Sequence, residues 1–221
     1  MPAHTDRNFA SELRELKESI LTMGSMVETM IARSTEALIK RNSNEAREVI
    51  NTDRKVDELE MHIDNLCLKI LALHQPAAAD LRFVAMGMKI STDLERMGDL
   101  ANNICKWVLE LNEEEALNSY MEVTQLAEKA QKMVKDSLDS FVRRDAKAAQ
   151  LVCEADDIVD QLNYKLASEF TQIMEKDPKK VGRGLKLILI CRQLERIGDH
   201  ATNVAEEVKF MIEGEDIRHG G

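Results

Sequence analysis

The chain has 221 residues, 40 acidic against 30 basic, and a formal net charge of −10. That balance argues against a nucleic-acid-binding surface, which wants a basic face, and no apolar run approaches the roughly 18 residues a membrane span needs. With 44% hydrophobic and 32% charged residues, the composition is that of a soluble globular protein of one large or two small domains.

The first residues, Met1-Pro2-Ala3-His4-Thr5-Asp6-Arg7, contain no hydrophobic signal core, so a cytoplasmic location is expected. Proline occurs three times and glycine nine times, and so few breakers imply long helices. The first helix is expected over 7–41, where Phe9, Leu13, Leu16, Ile20, Met23, Val27 and Met30 step by four and three. Arg41-Asn42-Ser43-Asn44 offers caps for a second helix over 44–74, with a seam at Val56, Leu59, Ile63, Leu66, Ile70 and Leu73. Pro76 suits the restart of a third helix over 77–111, with a seam at Ile90, Leu94, Met97, Ala101, Ile104, Val108 and Leu111. Asn112-Glu113-Glu114-Glu115 reads as a short exposed connection to a fourth helix over 116–143. Asp145 can cap a fifth helix over 146–176, and Pro178 precedes a sixth over 181–213. Seams with a mean step of 3.5 pack as left-handed bundles with shallow crossing angles, and helices of about 30 residues make an elongated molecule.

The chain repeats itself. The sixth helix copies the third at a shift of 100 residues, Leu94-Glu95-Arg96-Met97-Gly98-Asp99 becoming Leu194-Glu195-Arg196-Ile197-Gly198-Asp199, with Asn103 matching Asn203. The fifth copies the second at a shift of 103, so that Asp53 and Asp57 align with Asp156 and Asp160. This self-similarity predicts an all-α fold of two tandem, duplicated three-helix bundles, 1–112 and 115–214, followed by a frayed tail at 215–221.

The duplicated polar pattern is a carboxylate followed four residues later by an aspartate: Asp53 and Asp57, Glu95 and Asp99, Asp156 and Asp160, Glu195 and Asp199. Glu60 and Asp64 extend it in the first half only, where the second has Asn163 and Ala167. Residues four apart share a helix face, and like charges there repel by a few tenths of a kcal/mol. Two readings stand. A hard divalent cation, which takes oxygen ligands, would offset the repulsion; or the stripes are solvated acidic faces with Arg96 and Arg196 as neighbours. If both halves hold metal, the second is expected to bind less or more weakly. Glu95, Asp99, Asn102 and Asn103 are expected to share one stripe away from the seam.

Other features carry less. Gly98 and Gly198 inside helices point to close packing or to room for a ligand. The histidines do not repeat, and Glu-x-x-His, the element of ferritin-like di-iron helices, is absent from all six helices, Asp216-x-x-His219 in the tail coming nearest. Cys67, Cys105, Cys153 and Cys191 form no C-x-x-C and read as reduced core or near-core residues. Lys179, Lys180, Arg183 and Lys186 read as a solvated basic patch. No Gly-rich phosphate loop, nucleophile elbow or catalytic triad appears, so no enzyme activity is expected.

Two three-helix halves, each ending in Leu-Glu-Arg-(Met/Ile)-Gly-Asp with a downstream Asn, and Asp80-Leu81-Arg82-Phe83-Val84 before the first copy, resemble the PhoU family of phosphate-transport accessory proteins. The resemblance covers about residues 9–213. It implies metal binding (iron, zinc, manganese or magnesium) by Asp53, Asp57, Glu95, Asp99, Asp156, Asp160, Glu195 and Asp199, and Glu60 lies on the same stripe. It further implies a cytoplasmic, dimeric negative regulator of phosphate uptake and phosphate-starvation signalling. The implied partners are the ATPase subunit of a phosphate ABC transporter and a sensor histidine kinase. A metal store or metal-dependent enzyme, and a helical scaffold without a phosphate role, are the alternatives.

Overall fold

The computed structural model describes residues 2–117 and 121–214. Its helices are α1 (Pro2–Lys40), α2 (Ser43–His74), α3 (Ala78–Asn112), α4 (Met121–Arg143), α5 (Ala146–Lys176) and α6 (Val181–Glu213), with a 3-10 turn at Pro178–Lys180. The expected tail at 215–221, with Asp216 and His219, lies outside the described residues. So do residues 118–120, and α4 is described only from Met121; Ala116 and Leu117, expected as its first turn, are irregular.

The helix ends follow from local chemistry. Arg41 and Arg144 both adopt left-handed backbone, with φ of 52° and 51°. Each closes a Schellman turn: Asn42 N donates to Ala37 O (2.9 Å) and Arg41 N to Leu38 O (3.3 Å), while Asp145 N donates to Ser140 O (3.0 Å) and Arg144 N to Phe141 O (3.3 Å). The next residue then caps the following helix. Asn42 Oδ1 accepts from the amides of Asn44 and Glu45, and Asp145 Oδ1 from those of Lys147 and Ala148. The duplication therefore extends to the turns.

Helices α1, α2 and α3 pack together as one bundle and α4, α5 and α6 as the other; α3 against α6 and α1 against α4 join them. The seams form the core. Leu16, Ile20, Met23 and Val27 of α1 are fully buried, as are Ile90, Leu94 and Met97 of α3 and Ile190, Ala201 and Val204 of α6. Leu73, expected on the α2 seam, is 65% exposed, and Cys67 is buried instead. A straight helix of 3.6 residues per turn drifts off a 3.5-residue seam, and by the last turn of α2 the seam has rotated outward. All four cysteines are free; burial pushes the thiols of Cys67, Cys105 and Cys191 up to about 12.

Helices α3 and α6 run antiparallel. Arg82 Nε donates to Met211 O (3.2 Å) at one end, and Lys186 pairs with Glu110 (3.2 Å) and Glu114 (3.1 Å) at the other. The basic cluster at the start of α6 is thus not freely solvated as expected. Arg183 donates to Glu115 O (2.8 Å), and Arg41 donates to the carbonyls of Leu111, Asn112 and Glu114. These cations pin the exposed connection between the halves, because the carbonyls at the end of α3 have no helical partners of their own.

Candidate metal centre

A helical wheel fixes the face a carboxylate occupies but not what lies opposite. In the structure the α2 stripe meets the α3 stripe, and the α5 stripe meets the α6 stripe. In the first half Asn102, 7% exposed, donates its amide to Asp53, and Thr92 Oγ1 lies 3.5 Å from Glu60. Asp57, Glu60, Glu95 and Asp99 gather around the same cleft, close enough for Asp99, Glu60 and Asp57 all to disfavour ionisation of Glu95. In the second half a carboxylate oxygen from each of Asp160, Glu195 and Asp199 lies within 4.8 Å of the others. Asp156 completes that group from α5, near enough to Asp160 and Asp199 to feel both charges.

The environment is hostile to unneutralised carboxylates. Burial first, then Asp99, raises Glu95 to about 7 against the attraction of Arg96. Burial, then Asp199 and Asp160, raises Asp156 to about 6. Asp53, Glu60 and Glu195 are raised as well, burial being the largest cause in each. Arg96 lies 3.4 Å from both Glu95 and Asp99, but it is more than half exposed and sits at the rim.

Gly98 and Gly198 sit at the floor of the two clefts. A Cβ on Gly98 would lie 3.4 Å from Val56 Cγ1 and 3.7 Å from Asp53 Oδ1; on Gly198 it would lie 3.3 Å from Val159 Cγ1 and 3.5 Å from Asp156 Oδ1. The glycines therefore serve both readings taken from the sequence. They bring the helices close, and the carboxylates stand directly over them.

The donors fit a hard cation. All are oxygens; in the second half Asp160, Glu195 and Asp199 are close enough to share an ion, whereas among the described residues no first-half trio comes as close. Asn102 Oδ1 and Glu195 Oε2 are buried with no hydrogen-bond partner among the described residues. His200 turns away, with Nδ1 2.8 Å from Asp93, so the chemistry leans to magnesium, manganese or iron over zinc. The acids lost at Asn163 and Ala167 leave the trio Asp160, Glu195 and Asp199 intact. Asn103 departs from the expected stripe: it lines the groove between α3 and α6, its Oδ1 accepting from Lys106 of its own helix (3.3 Å), while Asn102 takes the carboxylate side.

This architecture has close relatives. The family model described as the PhoU domain matches twice, over residues 20–108 and 123–208. The chain belongs to the PhoU family. It is 40% identical over 220 residues to the phosphate-specific transport system accessory protein PhoU homolog of Pseudomonas putida, covering 99% of this chain and 86% of that one. The Escherichia coli protein of the family is 32% identical over 99% of this chain and 90% of its own. The crystal structure of PhoU from Pseudomonas aeruginosa matches with a TM-score of 0.91 at 38% identity, over 94% of this chain and all of that one. The phosphate transport system regulatory protein PhoU from Streptococcus pneumoniae matches with a TM-score of 0.88 at 31% identity, over 94% and 98%.

Proposed function

We infer that this chain is a regulatory accessory protein of a phosphate uptake system and that it acts by binding partners, without catalysis. The observation that carries the reading is the double match to the PhoU domain, over residues 20–108 and 123–208. The finer reading is negative regulation: the chain restrains phosphate uptake and phosphate-starvation signalling by linking the ATPase subunit of a phosphate ABC transporter to a sensor histidine kinase. It works in the cytoplasm as a homodimer, and its two carboxylate clefts hold divalent or trivalent cations. No helix among the described residues is long and apolar enough to cross a membrane, which is consistent with an adaptor that meets its membrane partners from one side. Long helical faces suit docking by groove and ridge.

In the clefts Asp53, Asp57, Glu60, Glu95 and Asp99 would hold cations in the first half, and Asp156, Asp160, Glu195 and Asp199 in the second. A bound cation would supply positive charge that cancels the repulsion between the stripes and cross-links α2 to α3 and α5 to α6. The protein's own residues set the geometry: Asn102 orients Asp53 and the two glycines set the spacing between helices.

The test is a deletion in the host organism, complemented with the wild-type gene. Phosphate uptake and starvation-gene expression in phosphate-rich medium should rise on deletion and return with the gene. Unchanged uptake and expression would overturn the regulatory reading.

A further inference from the structure

The duplication relates two grooves along the α3–α6 junction, and their chemistry is opposite. One, about 360 Å³, is acidic: Asp93, Glu206 and Glu207 line it with Lys89. Its own side chains occupy one another there, Lys89 pairing with Glu207 (3.1 Å) and Asp93 with His200 (2.8 Å). The other, about 410 Å³, has Lys106 where the first has Glu206, Trp107 where it has Glu207, and Gln193 where it has Asp93. Arg196 adds a second cation to its wall. The same position in the fold thus carries acids on one side and an indole with two cations on the other. The repeat alone does not dictate such a contrast.

The second groove has the size of a small-molecule site. Trp107 is the chain's single tryptophan; it is partly buried against the core and lines the groove. Lys106 is steadied by Asn103 Oδ1 at 3.3 Å. Glu110, the one acid among the described residues lining the groove, is held by Lys186 at 3.2 Å, which reduces its opposition to an anion. In a chain of net charge −10, a groove lined by two cations and an aromatic residue is a local exception.

We propose that the Trp107 groove binds a nucleoside phosphate across the junction of the two halves. The base stacks on the indole, Lys106 and Arg196 take the phosphates, and the Gln193 amide reads the edge of the base. Since α3 supplies the indole and one cation and α6 the other cation, the ligand bridges the halves. No cleft carboxylate lines this groove, although Lys106 and Arg196 also attract Asp53 and Asp199 of the clefts, and the site does not depend on the phosphate-regulation reading.

Trp107 is its own probe. The full chain is titrated with ADP, AMP, adenosine and inorganic phosphate while tryptophan fluorescence is followed, with excess EDTA so that metal extraction cannot mimic binding. Saturable quenching is expected with ADP and AMP, and binding of adenosine or phosphate alone about tenfold weaker or more. Arg196→Gln and Lys106→Gln should each weaken ADP about tenfold, with Arg196→Lys retaining more, and the helical circular dichroism should be unchanged. No saturable change with ADP or AMP up to about 1 mM would overturn the proposal. So would equal affinity for inorganic phosphate alone, or an ADP affinity that neither variant alters.

Discussion

Glu95→Gln probes whether the clefts store electrostatic strain that a cation relieves. Glu95 is 16% exposed at the side chain, and burial with Asp99 beside it holds its carboxyl near 7, against 4.5 for the free residue. The folded state therefore binds the proton more tightly than the unfolded chain. Stability from that proton is complete below about pH 4.5 and is lost as pH rises towards about 7, because over that window the native state holds more protons than the unfolded one. A difference of this size corresponds to about 3 kcal/mol as an upper figure. Glutamine copies the neutral acid and cannot lose the proton. In metal-free protein at pH 8, Glu95→Gln should therefore raise the melting temperature by up to about 10 °C, and the gain should vanish below pH 4.5. Differential scanning calorimetry from pH 4 to 8 with EDTA is the assay. Adding manganese or magnesium should reverse the order, since the wild type gains a bound ion and the variant has lost a ligand. A variant less stable than wild type at pH 8 without metal would refute the reasoning.

Other outcomes follow from the fold. Asn42→Ala and Asp145→Ala each remove a side-chain cap and should cost about 1 kcal/mol in urea denaturation. Leu94→Ala opens a cavity at a fully buried site facing the centre of its bundle and should cost about 2–5 kcal/mol by the same measurement.

Much of the fold is legible in the sequence because its punctuation is chemical. Asn42 and Asp145 mark helix starts through their side-chain oxygens, and the seams of α3 and α6 follow a period that burial reproduces residue by residue. The carboxylate stripes are legible as faces. Their meeting across α2–α3 and α5–α6 is not, since it depends on how far each helix rotates about its axis in the bundle. The same rotation decides between Asn102 and Asn103, one turned to Asp53 and the other to Lys106. Arg183 and Lys186 read as solvated because their partners, Glu110 at the end of α3 and Glu114 and the Glu115 carbonyl in the connection, lie about 70 positions away. The Trp107 groove had a signal: Lys106-Trp107 against Glu206-Glu207 is a reversal of charge inside an otherwise faithful repeat. Only the antiparallel pairing of α3 with α6 turns that reversal into a groove.

The most direct test of the central claim, that the paired stripes are ligands, is metal content by elemental analysis after exposure to iron, manganese, magnesium and zinc, followed by desalting. The wild-type chain is compared with one carrying Glu95→Ala, Asp99→Ala, Glu195→Ala and Asp199→Ala, its helicity confirmed by circular dichroism. Metal retained by the wild type and lost by the variant is the predicted result. No metal in either chain, or equal metal in both, would contradict it and leave the stripes as a surface for partners or solvent.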